Sequence, residues 1–480
     1  MNPSSPSKKT TQSPPPNFGQ SSQSNQSGPL LYYQQQSQPV HVIHGYNLRA
    51  SRRDSTCARF FFAFLWAGVI WLFLTITVHN LVFWTHFGYP PWPWRHDFEY
   101  PVPRGFNIEK CVGSGDWTNN HHSFEKPDLP EHGPSSHFPP LKSGYSFELP
   151  LDPDTLWFIT KGRLSGGNVD IVTSPDQKAG HVTYEVVVHY VTENARDLAK
   201  VCLLNTDKGD EQGVGILTPT RPPYWGREYH LFFETTIVFP ESEKERLAVK
   251  KFETDTANTI HRTSHLSDKL LFDKVNFQGS NSPMLIFSLA TNEGTFKSSN
   301  GPIRGVFNTT GHLTLVTSNS HVKAAVGLTS NNTDPSATIR TSNGPIEGEF
   351  SLFSSDKDTP GKFDVSTTTS NSHLSTKFVT APVNSELHFA GKTSNGPATV
   401  VLHSTYEGKY EAITSNSFPI TVRHNTDKDD PSGKGRKRAG SSQSGRGYAK
   451  GEIWWAEKEK KDLQGEVTVR TSNSAVHLEF

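Results

Sequence analysis

Polar residues that recur near one short phrase in the second half of the chain are the first candidates for chemistry. His321 and His373 each follow a Ser-Asn-Ser run, and His477 stands close to the last copy. The acids of this region, such as Glu347 and Glu349, are isolated rather than clustered in pairs that recur. Because acid–base cleavage of polysaccharides uses paired carboxylates, these positions do not predict an active site.

Sequence motifs of the common enzyme classes are also missing. The chain has no Gly-x-Ser-x-Gly elbow, no His-Glu-x-x-His zinc motif and no phosphate-binding loop. The adjacent His121 and His122 lack further ligands at a defined spacing. We therefore predict a protein that is not an enzyme and has no catalytic, cofactor-binding or metal site.

The recurring phrase itself predicts a repeat architecture. It reads Thr-Ser-Asn followed by Gly-Pro or by Ser, and a weaker first copy is Ser280-Asn281-Ser282. Sequence repetition at spacings of this kind is typical of stacked structural units. The predicted structural corners are Asn300, Asn319, Asn343, Asn371, Asn395, Asn416 and Asn473.

Apolar residues flank each Asn with a period of two on both sides. Ile339 and Thr341 precede Asn343 at −4 and −2, whereas Ile346 and Phe350 follow it at +3 and +7. The pattern predicts two strands joined at a corner that shifts the alternation by one residue. It also predicts that the Thr and the Asn share the face of the apolar residues.

Two architectures satisfy this pattern. In stacked β-hairpins, each Asn-Gly pair would fill a tight turn. In a β-solenoid, each Asn would stand at a corner and its amide would stack on its neighbours, and the identical Thr-Ser-Asn phrases favour this arrangement. The alternation of Gly and Ser after the Asn further suggests two motifs per coil, which gives coils of roughly 40 to 50 residues.

An apolar run near the N-terminus predicts a membrane anchor. Residues 60–78 contain no charge, and a helix of 19 residues matches the hydrocarbon core of a bilayer. Basic residues such as Arg52, Arg53 and Arg59 precede the run, which puts the N-terminus in the cytosol and the C-terminal domain on the extracellular or lumenal side. A cleaved signal peptide is the alternative, but the run is long and lies far from Met1. We expect a single-pass type II membrane protein whose partner is the lipid bilayer.

Modification sites follow from this topology. Asn308 and Asn331 begin glycosylation sequons on the non-cytosolic side. Cys57 adjoins the predicted span, where it is either a palmitoylation site or an inert thiol. Cys111 and Cys202 are the two thiols on the oxidising side and form a possible disulfide.

Composition divides the chain into five parts. The tail is rich in Ser, Gln and Pro, and such segments cannot bury enough apolar surface to fold. The predicted parts are a disordered cytosolic tail at 1–55, a transmembrane signal anchor at 56–87, an extended stalk at 88–144, an antiparallel β-domain at 145–273 and the repeat domain at 274–480. The repeat domain contains a predicted disordered insertion at 427–450, whose Lys437-Arg438 pair is a possible processing site.

The alternating TSNGPI and TSNSHV phrases, with alternating strands after them, resemble the adhesin repeat domain of fungal and bacterial surface proteins. The tail, the single span and the preceding β-domain are similar to uncharacterised fungal membrane proteins. The resemblance implies a mainly β, β-helix-like fold and a role in adhesion or in the cell envelope. It implies no cofactor and supplies no catalytic residues.

The expected function is that of a non-catalytic surface protein that contacts cell-wall polysaccharide, another glycan or a surface protein. A formal net charge of zero gives no reason to expect a nucleic-acid partner. The alternatives are a polysaccharide-active enzyme built on a β-helix, and a purely structural envelope component.

Overall fold

The computed structural model describes residues 71, 98–118, 138–221, 226–242, 244–356, 359–425, 428–456 and 465–480. Apart from Trp71, the predicted span at 60–78 lies outside these residues, as do Cys57 and the predicted tail. No helix in the described part of the chain is long and apolar enough to cross a membrane.

Strands make up most of the described chain. The first eleven are β1 Phe106–Cys111, β2 Leu141–Pro150, β3 Thr155–Lys161, β4 Gly167–Ser174, β5 His181–Tyr190, β6 Lys200–Thr206, β7 Glu211–Leu217, β8 Leu231–Pro240, β9 Leu247–Asp255, β10 Thr259–His265 and β11 Leu270–Gly279. The next eight are β12 Met284–Ser298, β13 Ile303–Thr317, β14 Val322–Ser330, β15 Ser336–Arg340, β16 Ile346–Ser354, β17 Lys362–Thr368, β18 Leu374–Thr380 and β19 Glu386–Lys392. The last seven are β20 Ala398–Val401, β21 Gly408–Thr414, β22 Ile420–Arg423, β23 Lys437–Gly445, β24 Tyr448–Ala456, β25 Gly465–Thr471 and β26 Val476–Glu479. One short helix, α1 at Glu193–Arg196, and a 3-10 turn at Arg227–Tyr229 interrupt them.

Parallel neighbours arrange most strands into two long sheets. The first sheet runs in the order β7, β3, β9, β11, the C-terminal parts of β12 and β13, then β15, β17, β19, β25 and β21. The second sheet runs β8, β4, β10, the N-terminal parts of β12 and β13, then β14, β16, β18, β20, β26 and β22. Each coil of the repeat region contributes one strand to each sheet, with the Thr-Ser-Asn motif at the corner between them.

The pairing decides between the two predicted architectures. β15 pairs in parallel with β13 and β17, which lie in the coils on either side of it. β16, which follows the same corner, pairs in parallel with β14 and β18. A hairpin would instead pair β15 with β16 in antiparallel fashion, so the hairpin alternative is wrong and the repeats form a solenoid.

The hypothesis of two motifs per coil is also wrong. The side chain of Asn343 bonds to Asn319, and Asn371 bonds in turn to Asn343. Successive motifs are therefore neighbours in one column, in which Gly and Ser corners alternate. The strand after each corner is followed by a single loop and then by the strand that precedes the next corner. Each coil therefore holds one motif.

The predicted antiparallel domain at 145–273 is corrected in part by the strand directions. Its strands β3, β4, β9 and β10 already pair in parallel and continue the two sheets of the repeats. Within this region, antiparallel pairing is confined to the N-terminal end of the stack, where β5 lies between β2 and β8, and β6 lies between β1 and β7. The two-residue alternation that marked these strands is the same for both directions, so it could not distinguish them.

The predicted stalk at 88–144 also contains ordered sheet within the described residues. β1 pairs with β6, and β2 begins at Leu141. Residues from Arg95 to Phe480 form one compact unit.

The predicted disordered insertion at 427–450 is mostly a hairpin in the residues that the structure describes. β23 and β24 pair in antiparallel fashion, and β24 also pairs with β21. The hairpin thus extends the first sheet beyond its outermost coil.

Spatial order and chain order differ at this end of the stack. β25 lies between β19 and β21, and β26 lies between β20 and β22. The coil made by 465–479 is therefore inserted between the coils made by 386–401 and 408–423.

Aromatic and aliphatic side chains fill the space between the two sheets. Phe296 contacts Phe277 and Phe307, with ring centroids 5.2 and 4.8 Å apart. Phe378 and Phe389, farther along the stack, meet edge to face at 5.5 Å. Such contacts are favourable beyond the area that they bury, so they help to fix one coil upon the next.

Candidate functional site

An amide ladder runs along the motif corner. Each Asn donates from Nδ2 to Oδ1 of the Asn in the preceding coil of the stack. The bonds are Asn281 to Asn258 (2.7 Å), Asn300 to Asn281 (2.7 Å), Asn319 to Asn300 (2.6 Å), Asn343 to Asn319 (2.6 Å), Asn371 to Asn343 (2.7 Å), Asn395 to Asn371 (2.7 Å), Asn473 to Asn395 (2.8 Å) and Asn416 to Asn473. Chains of aligned hydrogen bonds polarise one another, so the ladder is a cooperative unit.

The ladder lies on the surface, which corrects the prediction that Thr and Asn share the inner face. Asn319 and Asn343 are exposed, whereas Thr317 and Thr341 are 2% and 5% exposed. The Thr hydroxyl bonds inside the corner, as from Thr341 to the carbonyl oxygen of Ser320 at 2.9 Å. The corner turns the chain between the Thr and the Asn, and the alternation does not continue through it.

The first sheet carries three parallel rows on its outer face. The row farthest from the motif corner contains Glu293, His312, Ser336, Asp364, His388 and Glu466. The middle row contains Thr295, Thr314, Thr338, Ser366, Ala390 and Thr468. The row beside the corner contains Lys297, Val316, Arg340, Thr368, Lys392 and Arg470.

Four exposed basic residues of this third row form what we call the cationic stripe: Lys297, Arg340, Lys392 and Arg470. Arg470 bonds to Glu411 at 3.1 Å, and both side chains are well exposed. Among the described residues, no salt bridge is found for the other three members of the stripe.

A shallow groove of about 330 Å³ follows the first two rows. His388 lies in it, with Nδ1 at 3.3 Å from Asp364 and Nε2 at 2.9 Å from Glu386. Glu466 is the neighbour of His388 on the next strand. No group of three or more His, Cys, Asp or Glu within the described ranges is arranged to hold a metal ion.

A larger open groove of about 790 Å³ lies on the second sheet. Lys323 bonds to Glu347 at 3.0 Å, and this hydrogen bond holds the pKa of Glu347 below its usual value. His321 is beside the same carboxylate and contacts Arg304 at 2.6 Å; burial and this arginine lower the pKa of His321. The groove is thus lined by charges of both signs that largely neutralise one another.

Two arginines stabilise the hairpin of β23 and β24 at the end of the first sheet. Arg438 donates to the carbonyl oxygens of Ser404 and Tyr406, both at 2.8 Å, and lies over the ring of Trp455. Burial lowers the pKa of Arg438 to about 10, so the residue remains charged at neutral pH. The predicted processing site is therefore part of a paired strand, and its arginine is engaged.

The second arginine organises the loop before the hairpin. The buried carboxylate of Asp430 bonds to the Arg436 guanidinium and to the backbone N–H groups of Ser432, Lys434 and Arg436. The arginine and these donors hold the pKa of Asp430 well below its usual range.

The predicted modification sites occupy different surroundings. Cys111 on β1 and Cys202 on β6 are joined by a disulfide. Asn331 stands on an exposed turn after β14, next to Asn332 with a φ of 56°. Asn308 is exposed on the second sheet within β13, and its side chain lies over Gly327.

Two features were missed by sequence reasoning. Asn258 extends the ladder by one position, although its local sequence Thr256-Ala257-Asn258 lacks the serine of the motif. The cationic stripe was detectable, since Lys297, Arg340 and Lys392 each lie three residues before the Asn of a Gly-type corner.

No family model matches the chain, and no curated protein matches it either. Three solved structures share some likeness. A candidate adhesin from Parabacteroides merdae has 12% identity over 54% of this chain and 92% of its own, with a TM-score of 0.24. A candidate cell adhesion protein from Clostridium sporogenes has 9% identity over 70% and 99%, with a TM-score of 0.17. A candidate adhesin from Bacteroides fragilis has 12% identity over 54% and 97%, with a TM-score of 0.22. TM-scores this low establish neither a shared fold nor a shared function.

Proposed function

We propose that this chain is a membrane-anchored, non-catalytic surface protein whose solenoid makes adhesive contacts with cell-wall polysaccharide, another glycan or a surface protein. The observation that carries the proposal is the regularity of the outer faces. A ladder amide recurs in every coil of the repeats and an outer-face hydroxyl in nearly every coil, at about the 4.8 Å spacing of neighbouring strands, and charged groups lie in rows beside them. A repeating ligand can bond to such a surface at many equivalent positions.

The interior supports a scaffold role. The inward side chains of the repeat strands, such as Leu315, Ile339 and Val365, are buried and pack coil upon coil. The grooves on the first and second sheets described above are open and shallow, which suits contact with an extended partner better than enclosure of a small molecule.

A screen of the purified full-length chain in nonionic detergent against a glycan array tests the adhesive role. We expect binding to a restricted set of glycans that saturates with protein concentration. Absence of binding to any glycan, together with absence of binding to intact cell surfaces, would contradict the proposal and favour a structural envelope component.

The anchoring rests on the apolar run at 60–78 and on the basic residues before it. We expect an antibody against the tail at 1–55 to stain cells only after permeabilisation, and an antibody against 274–480 to stain without it. Staining of the tail on intact cells would contradict the type II topology.

One observation favours a second candidate, a polysaccharide-active enzyme. His388, Asp364 and Glu386 lie in contact on the first sheet, with Glu466 beside them, and carboxylates in a groove can act as acid and base. Release of new reducing ends from a panel of polysaccharides, abolished by Asp364→Asn, would support this candidate. Equal release by Asp364→Asn and by the unchanged chain would exclude these residues.

A further inference from the structure

In the cationic stripe, basic side chains recur in alternate coils from Lys297 to Lys392, a regularity that the other two rows of the first sheet lack. In the stack, Lys297, Arg340 and Lys392 belong to alternate coils, and the uncharged Val316 and Thr368 lie between them. Neighbouring strands are about 4.8 Å apart, so successive unpaired cations of the stripe lie about 9.6 Å apart. From Gln278, which precedes Lys297, to Ile413, which follows Arg470, this row contains no acidic residue; the next position beyond Gln278 is Asp255, which is paired with Lys161 at 2.6 Å.

The corner beside the stripe supplies neutral hydrogen-bonding groups at half that period. Each coil adds one serine and one ladder amide, such as Ser318 with Asn319 and Ser342 with Asn343, and all four are exposed. The serine follows the stripe position by two residues and lies at the corner itself, just beyond the end of the strand. From Lys297 to Lys392 the surface therefore offers one set of hydroxyl and amide groups per coil and one cation per two coils. Arg470 lies in the coil next to Lys392 and departs from this period, but it is paired with Glu411.

We propose that the cationic stripe, with the serine and asparagine rows beside it, binds an extended acidic polysaccharide that carries one anionic group on every second sugar. The polymer lies along the solenoid axis, with one sugar per coil. Its anionic groups meet Lys297, Arg340 and Lys392, and its hydroxyls meet the corner. This inference rests on the adhesive function proposed above and specifies its ligand class.

The rest of the surface is compatible with an anion at this place. Glu411, which lies beside Thr468 of the middle row, is already paired with Arg470. The acidic residues of the outer row, such as Asp364, lie four residues along the strand from the stripe row, about 13 Å away. The Debye length at physiological salt is about 8 Å, so their repulsion is largely screened.

Nucleic acid fits the stripe less well. Phosphates along a strand of duplex DNA are about 3.4 Å apart along the axis, much closer than the cations of the stripe. Proteins that bind single strands add aromatic faces for base stacking, and the stripe row contains no aromatic side chain from Gln278 to Ile413. Hydroxyl and amide groups suit sugar hydroxyls instead.

The test uses the full-length chain in nonionic detergent and two matched probes. One probe is a hyaluronan decasaccharide, which carries a carboxylate on every second sugar, and the other is the same decasaccharide with its carboxyls reduced to alcohols. The variant Arg340→Gln with Lys392→Gln removes two stripe charges. The control variant, Lys110→Gln with Arg423→Gln, removes two exposed charges from β1 and β22, outside the stripe row.

We expect the hyaluronan probe to bind, with the stripe variant weakening its affinity about tenfold and the control variant leaving it unchanged, because each exposed charge pair contributes a few-fold to affinity. Raised salt should weaken binding of the unchanged chain more than that of the stripe variant. Equal affinity of the two variants, or equal binding of both probes, would overturn the inference. Binding only to neutral glycans on the array would also overturn it while leaving the adhesive function intact, whereas loss of all glycan and cell-surface binding would contradict both.

Discussion

The glycine of the Asn-Gly corners is required by space rather than by an unusual backbone angle. Gly301, Gly344 and Gly396 do not have positive φ, but a Cβ on Gly344 would lie 1.9 Å from the carbonyl oxygen of Ser320 in the preceding coil. Gly301 and Gly396 meet the carbonyl oxygens of Ser282 and Ser372 in the same way. Gly and Ser therefore alternate because each Gly-type corner approaches the Ser-type corner before it.

We predict that Gly344→Ala lowers the free energy of unfolding by about 1–3 kcal/mol, since a close-packed site must shift to admit the methyl group. Urea denaturation followed by circular dichroism measures the change. Ser320→Ala is the matched control because it adds no atom at the neighbouring corner. Equal denaturation midpoints for the two variants would show that the corner has more room than the structure gives it.

The buried His261 predicts a pH dependence of stability. Its ring stacks on Phe277 at 5.4 Å and its Nε2 lies 2.8 Å from the hydroxyl of Thr254. Burial lowers the pKa of His261 from 6.5 to about 4. Between these values the unfolded chain binds a proton that the folded chain does not, so this contribution to stability is present above pH 6.5 and is lost as the pH falls to about 4.

The expected loss is about 3 kcal/mol across this window, at about 1.36 kcal/mol for each unit of pKa difference. Denaturation midpoints of the unchanged chain and of His261→Gln, measured from pH 7 to pH 4, test it. The variant retains every carboxylate, so the difference between the two dependences of stability on pH reports the histidine. If the denaturation midpoints of the two proteins fell equally with pH, His261 would bind its proton in the folded state as readily as in the unfolded state.

At the scale of elements, the sequence identified the strands and the corners better than their pairing. The alternation around Asn343 places Ile339, Thr341, Ile346 and Phe350 in the core, as found. Strand direction within 145–273, by contrast, depends on contacts between residues distant in sequence, which a local period does not encode. The amide ladder was foreseen as part of the solenoid alternative, but its exposure was not, because the alternation is broken at the corner.

The hairpin of β23 and β24 was missed because its sequence is polar and rich in Gly and Ser, a composition typical of loops. It is ordered by contacts from outside itself. Arg438 reaches the backbone at Ser404 and Tyr406, and Asp430 organises the preceding turn. Contacts between residues that are distant in sequence produce no local periodic pattern, so the sequence did not predict this hairpin.

We predict that the folded chain resists trypsin at Arg436, Lys437 and Arg438, because these residues are held by the Asp430 loop and by pairing with β24. Asp430→Asn should open this site, since an amide oxygen accepts the Arg436 guanidinium and the loop N–H groups less strongly than a carboxylate. Limited digestion followed by mass spectrometry detects the new ends.

Asp429→Asn is the control for this experiment, because Asp429 is adjacent and exposed. Rapid cleavage of the unchanged chain after Arg438 would contradict the prediction and would support a processing site at Lys437-Arg438.

At the scale of the whole molecule, the inserted coil joins the outermost coil to the rest of the solenoid. In the described chain, β22 pairs with β26, and β21 pairs with β25 and with the hairpin strand β24. Removing 465–480 would therefore leave the coil at 408–423 without its inner neighbour. Its Asn416 would also lose the bond to Asn473.

We predict that deletion of 465–480 abolishes protection from hydrogen exchange in β22, which loses its neighbour β26, and lowers it in β19, β20 and β21, since β21 keeps its pairing with β24. Protection in β3, β4, β9 and β10 should be kept. In stacked repeats each unit contacts its neighbours, so the effect should stay near the deletion. Mass spectrometry of exchanged peptides measures it. Retained protection in β22 would mean that the coil at 408–423 can dock directly on 386–401.

The inserted coil has a consequence for how the chain is made. During synthesis, the strands that end at Val401 must wait for 465–479 before they receive their final neighbours. At about 5–20 residues per second, translation of the intervening stretch leaves two unpaired strand edges open for roughly 4–16 s. The coil at 408–423 emerges during this delay and carries the same motif, so it competes for those edges. If that coil pairs first, the last step of assembly is an exchange in which 465–479 displaces 408–423 from these edges, and a chaperone that covers open strand edges would favour the correct order.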